Sequence, residues 1–183
     1  AAESAQPVER FGQRLSQLET RLAKADKRIH QLEQQLQAVR ENGVRDLAEF
    51  VRIERGIINE VAGPHVIFEG ANVHVRSGSG ATNDGEALTG LGNLIVGYNE
   101  LNLFPDVRRS GSHNLVVGTQ HEFKSHAGLL AGFRNSVLGP WASVTGGSLN
   151  IASGTVSSVS GGSENRASEY GASVSGGYNN DGR

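Results

Sequence analysis

From Phe11 the apolar residues of this chain fall at Phe11, Leu15, Leu18, Leu22, Ala25, Ile29, Leu32, Leu36 and Val39, an unbroken alternation of four- and three-residue steps. That spacing is the seam of a coiled coil, and no proline or glycine interrupts Leu15 to Val39. At about 1.5 Å per residue, a helix from Val8 to Val39 is roughly 48 Å long. The phase breaks at Glu41-Asn42-Gly43, and Val44, Leu47 and Val51 resume it one residue late. Either Gly43 ends the helix or a phase shift carries it on towards Arg55. His65 to Arg76 then alternates apolar and polar positions on both sides of Gly70-Ala71, which predicts a β-hairpin entered at Pro64. Ser77 to Gly92 is rich in Gly, Ser, Thr and Asn and predicts a mobile connection.

The period changes again towards the C-terminus. Ala131–Thr145, Gly146–Ser160 and Gly161–Ser175 are three tandem fifteen-residue blocks, and a fourth opens at Gly176. A fixed repeat of that length is the signature of a solenoid, in which each turn of chain stacks on the last. Val144, Val159 and Val174 share one column, Val137, Ala152 and Ala167 another, and these small or β-branched residues predict a narrow core. Gly132, Gly147, Gly162 and Gly177 mark one corner, where the backbone needs positive φ or a close approach. Asn135, Asn150, Asn165 and Asn180 mark another, as structural rungs that bond turn backbone or one another. Upstream, Gly97 and Gly118 extend the corner series to six turns, and the long first interval places an insertion within Asn99 to Ser110.

The charges beside the seam choose how helices pair. With Leu15 at position a, Arg14, Arg21 and Arg28 occupy g, and Glu19, Asp26 and Glu33 occupy the following e positions. Every g-to-e′ pair is attractive in a parallel, in-register bundle, whereas an antiparallel one sets Arg against Arg. Each exposed pair contributes less than about 1 kcal/mol, so the apolar seam supplies stability and the charges set register. Arg14-Leu-Ser-Gln-Leu-Glu19 and Arg28-Ile-His-Gln-Leu-Glu33 carry the Arg-h-x-x-h-Glu pattern (h, apolar) associated with parallel three-stranded coiled coils, so a trimer is expected rather than a dimer.

The steps Ser158-Val-Ser-Gly-Gly-Ser-Glu-Asn-Arg-Ala167 and Ser143 to Ala152, together with this coiled coil, resemble the head and stalk modules of trimeric autotransporter adhesins, the YadA-like family. The resemblance covers roughly residues 91–183; the coiled coil matches only generically. Gly63 to Arg76 followed by Gly90 to Glu100 also looks like a recurrent unit of uncharacterised bacterial repeat proteins of this kind. The resemblance implies a left-handed parallel β-roll, three of which pack around a threefold axis, displayed outside the cell. The expected fold class is therefore fibrous α plus β: a parallel trimeric coiled coil over 1–42, a second helix or neck over 43–63, a β-hairpin and Gly-rich connector over 64–92, and a β-roll (β-helix) over 93–183. Arg183 falls inside a repeat, which reads as a piece of a longer fibre.

Composition narrows the function. With 37% hydrophobic residues and 25 glycines in 183, the chain lacks the material for a large conventional core, and its stability must come from stacking and association. Seventeen basic against nineteen acidic residues, net −2, give no electrostatic case for nucleic acid or an anionic membrane. The absence of cysteine excludes disulfides, thiol nucleophiles and cysteine metal sites. No apolar run approaches the roughly 20 residues that span a bilayer as a helix, so direct membrane insertion is not expected.

Candidate chemistry is sparse. Gly78-Ser-Gly-Ala-Thr82 lacks the lysine of a phosphate loop, His121 and His126 lack metalloprotease spacing, and Glu164 and Glu169 stand apart rather than paired for hydrolysis. No catalytic residue and no cofactor is expected. His30, at heptad position b, should be solvated, while three copies of His113 or His121 meeting at an axis could form an ion site. The stretch Tyr98 to Arg109 supplies the best candidate contact surface, with Phe104 at an apolar tip beside Arg108 and Arg109; packing of Leu103 and Phe104 over the end of the stack is the alternative. Trp141 is a second candidate, with burial at a trimer seam as its alternative. The expected protein is a non-enzymatic trimeric extracellular rod, an adhesin or a spacer, that associates with itself and meets glycan or extracellular matrix. The alternative is a phage-tail or secretion-system fibre that binds or cleaves glycans.

Overall fold

The computed structural model describes residues 5–41, 43–101 and 108–183. The chain divides into two compact units, Ala1–Val73 and His74–Arg183.

The first unit opens with one long helix, α1 (Ala5–Glu41). Arg40 sits in its last turn, where a cation complements the negative end of the helix dipole. The helix ends where the heptad phase fails: Gly43 takes φ +66°, and a four-residue helix, α2 (Val44–Leu47), starts afresh. The seam residues Phe11, Leu15, Leu18, Leu22, Ile29, Leu32, Leu36 and Val39 are all exposed, from 48% at Leu15 to 71% at Phe11. A helix with that stripe uncovered lacks the packing that normally holds helices together in water.

A two-stranded antiparallel sheet follows, and it is displaced from the expected one. Strand β1 (Val51–Glu54) pairs with β2 (His65–Phe68), Val51 opposite Phe68 and Glu54 opposite His65. No strand is found at Val73 to Arg76, so the turn lies upstream of β2 rather than at Gly70-Ala71. Ile58 and Val61 bridge across Asn59 and Glu60, both at positive φ, which is the backbone of a type I′ hairpin turn. Gly63 permits the closure, because a Cβ there would stand 2.7 Å from the Gly56 carbonyl oxygen. The alternation at Val73 and Val75 leaves both side chains exposed.

The second unit is a parallel β-solenoid of about five turns. Its strands are β3 (Leu94–Val96), β4 (Leu115–Thr119), β5 (Glu122–Phe123), β6 (Leu129–Phe133), β7 (Ser136–Val137), β8 (Ser143–Val144), β9 (Ile151–Ala152), β10 (Ser158–Val159), β11 (Arg166–Ala167), β12 (Ser173–Val174) and β13 (Asp181–Gly182). One wall runs β3-β4-β6-β8-β10-β12 and the other β5-β7-β9-β11-β13. Every pairing within the walls is parallel and in register with the repeat, Ser143 to Ser158 to Ser173 for example. The six corner glycines thus delimit about five complete turns rather than six.

The two predicted apolar columns form the core. Val116, Leu130, Val144, Val159 and Val174 point inward from the first wall, and Phe123, Val137, Ala152 and Ala167 from the second. A third line, Ala142, Ser157 and Ala172, closes the interior; Ser157 is buried because its hydroxyl donates to the Gly154 carbonyl at 2.7 Å. At the corner, Gly147 and Gly162 lie at φ +77° and +79°, and a Cβ on either would meet the carbonyl oxygen one turn on at 2.0 Å. That contact fixes glycine there on steric grounds beyond backbone conformation.

Candidate functional site

The expected site residues scatter rather than converge. Phe104 lies outside the described residues. Arg108 is exposed, whereas Arg109 is partly buried and bound to backbone: Nε donates to the His121 carbonyl at 3.1 Å and Nη2 to the Glu100 carbonyl at 2.6 Å. Burial holds its guanidinium pKa below the usual value. Glu100 in turn accepts from the Thr119 hydroxyl, a bond that lowers its carboxyl pKa. Arg109 is therefore a clamp across the base of the insertion, not a free cation at its tip.

Trp141 occupies a corner at φ +56°, is 56% exposed, and meets His126 of the preceding turn edge-to-face, ring centroids 5.1 Å apart. Val156 follows it one turn on and is also exposed. These side chains are available to a partner.

Along α1 the six register residues Arg14, Glu19, Arg21, Asp26, Arg28 and Glu33 are all exposed. Among the described residues, only Glu33 has an ion pair within the chain, with His30 at 3.7 Å, and that histidine is solvated as its heptad position requires. The other five charges leave their pairing capacity unused.

The connector is held by side-chain hydrogen bonds. Asp84 is buried at its centre and accepts five hydrogen bonds: Ser77 Oγ at 2.5 Å and Ser79 Oγ at 2.7 Å on Oδ1, and Thr89 N and Oγ1 at 2.7 Å and Ser112 Oγ at 2.5 Å on Oδ2. The Ser112 hydroxyl, followed by those of Ser77 and Thr89, holds the Asp84 carboxyl well below the usual carboxylate range. Small hydroxyl residues that composition marks as a flexible link are here the donors that tie residues 77–89 to the first full turn.

Asp84, Ser112 and His113 lie close together without forming a nucleophile and base. Ser112 Oγ donates straight to the carboxylate and accepts from the Gly90 N–H at 3.0 Å. His113 Nδ1 lies 2.9 Å from the Thr82 carbonyl, which it bonds as donor, and Nε2 accepts from the Ser77 N–H at 3.0 Å. A cleft of about 510 Å³ beside them is lined by Arg76, Gly78, Gly80 and His113 among others, but the imidazole already spends both nitrogens on backbone. His121 is fully buried. Both ring nitrogens of each histidine are bonded within its own chain.

Asn135, Asn150, Asn165 and Asn180 form the expected ladder. The Oδ1 of each of the first three accepts the backbone N–H of the next, at 2.8 to 2.9 Å, and each of the four Nδ2 groups donates back to a carbonyl four residues earlier. In the sequence the asparagine column begins at Asn135. The local period of fourteen, visible between Gly118 and Gly132, places His121 as the preceding rung. Comparison with protein-family models, with curated proteins and with solved structures gives no match for this chain.

Proposed function

We propose that this chain is a non-enzymatic homotrimeric rod of the cell exterior, an adhesin or a structural spacer, in which a parallel three-stranded coiled coil holds three left-handed β-rolls in register. The observation that carries the reading is the uncovered heptad seam of α1, eight large apolar side chains on one stripe, with g and e charges beside it of which only Glu33 is paired within the chain, among the described residues. Burying that stripe against two copies stabilises each helix by roughly 1.5–3 kcal/mol per large side chain, before the entropy of ordering is subtracted. A second uncovered surface supports self-association in the roll. Leu94, Leu115 and Leu129 face outward on neighbouring strands, with Val96, Val117 and Ala131 beside them. From Ser143 onward the same positions become Ser and Thr, so the apolar outer face is confined to the first three strands of its wall.

Light scattering on the intact chain after size exclusion should return three times the 19.3 kDa chain mass. A monomer at micromolar concentration overturns the proposal. The exposure of Trp141 favours the second reading, a fibre that binds glycans, since an open indole suits stacking on a sugar ring. Retention on immobilised glycans that Trp141→Ala abolishes supports it, and release of shortened products would mark an enzyme.

A further inference from the structure

We propose that His121 is a pH-sensitive rung in an otherwise pH-indifferent asparagine ladder, and that its protonation opens the joint between the irregular first turns and the regular repeats. The geometry of the substitution is close. The His121 N–H donates to Asn99 Oδ1 at 2.8 Å, as the N–H of Asn150 does to Asn135 Oδ1. On the other side the Asn135 N–H donates to His121 Nδ1 at 3.2 Å, so this nitrogen stands where the asparagines offer Oδ1. Nε2 lies 3.1 Å from the Val117 carbonyl, four residues earlier, where the asparagines place Nδ2. A Cβ on Gly118 would meet Nε2 at 3.1 Å, the same distance at which one on Gly132 would meet Asn135 Nδ2.

These bonds fix one form of the ring. A backbone N–H can only donate, so Nδ1 must carry a lone pair, and the Val117 carbonyl can only accept, so Nε2 must carry the proton. An asparagine in this position cannot titrate. An imidazolium sets two donors, Nδ1–H and the Asn135 N–H, against each other in a fully buried site.

Among the described residues, the surroundings offer no free counter-charge that would make the cation welcome. From the preceding turn, Arg109 places its guanidinium on the His121 carbonyl and is itself held by the Glu100 carbonyl. The Glu100 carboxylate is taken by Thr119. Glu122, next in sequence, is paired with Lys124 at 2.7 Å and accepts from Ser136. The following turn brings Arg134, whose N–H bonds the Thr119 carbonyl. Burial first, and the nearby Arg109 last, lower the His121 pKa, against smaller raising contributions from its backbone bonds.

The sign follows from linkage. The unfolded or locally opened chain binds a proton near the ordinary histidine value of about 6.5, whereas the folded site resists it. The rung is intact above that pH, and as pH falls below it the opening equilibrium rises up to tenfold per pH unit, until the folded-state value is reached.

Hydrogen exchange on the intact chain, corrected for intrinsic exchange rates, tests this rung by rung. Protection of the Asn135 amide should fall several-fold between pH 7 and pH 5, while that of the Asn165 and Asn180 amides, which bond to asparagine, stays constant. In His121→Asn the Asn135 amide should keep its protection at both pH values, since asparagine already serves the neighbouring rungs. Nitrogen-15 spectra of the unmodified chain provide a check that needs no variant, with Nδ1 unprotonated and Nε2 protonated at pH 7. An equal fall at all three amides, no fall at Asn135, persistence of the fall in His121→Asn, or a proton on Nδ1 each overturns the proposal.

Discussion

Helix α1 and the solenoid solve the same problem in opposite ways. Both are repetitive, and both must bury the apolar side chains of a long run of chain. The solenoid does so within one chain: its apolar columns face inward, Asn135, Asn150 and Asn165 are fully buried, and each turn donates its N–H groups to the next. The helix satisfies its backbone internally but turns its whole apolar stripe to water. A period near fifteen folds a chain back upon itself, whereas a period of seven only prepares a surface for another copy. Stability in the first region is intramolecular; in the second, under the proposed self-association, it depends on concentration.

Substitutions should separate the two. The largest effect is expected at Gly162→Val, which drives side-chain carbon into the Gly177 carbonyl at a positive-φ corner. It should cost more than about 4 kcal/mol and expose the flanking turns to proteolysis, leaving the helical circular dichroism intact. Leu22→Asp should follow, placing three carboxylates in one layer of the proposed bundle; scattering should then report monomer while the solenoid amides keep their exchange protection. Asn150→Ala should cost up to about 3 kcal/mol in the solenoid alone, because it strands the buried Asn165 N–H and leaves the Gly162 carbonyl only the Ser148 N–H as donor. Its chemical-denaturation midpoint should drop with oligomer mass unchanged. The smallest change is Arg21→Glu, which puts like charge opposite Asp26 of a neighbouring helix: less than about 1 kcal/mol per pair, visible as a salt-dependent loss of helix melting temperature.

Much of this contrast is legible in the sequence, since a repeat forces equivalent positions into equivalent surroundings. Val144, Val159 and Val174 therefore declare their column, as Leu15 to Val39 declare theirs. The features that escape depend on partners distant in sequence. Nothing around Asp84 announces a buried carboxylate, because its donors Ser77, Ser79, Thr89 and Ser112 are the residues that usually mark a loose linker. The hairpin is hidden for a local reason: Asn59-Glu60 adopts the turn that Asn-Gly normally signals, while Gly70 draws attention to the wrong place. The rung at His121 is masked by the change of period from fifteen to fourteen and by a ring that reproduces an amide's bonds with different atoms.

The most direct test of the difference between the two regions is thermal unfolding of the intact chain over a hundredfold range of concentration, followed by helical circular dichroism and by solenoid amide exchange. The helical transition should rise in temperature with concentration, and the protection of the Asn150 and Asn165 amides should not change. A helical transition independent of concentration would contradict the account, because it would mean that α1 holds its fold without another copy.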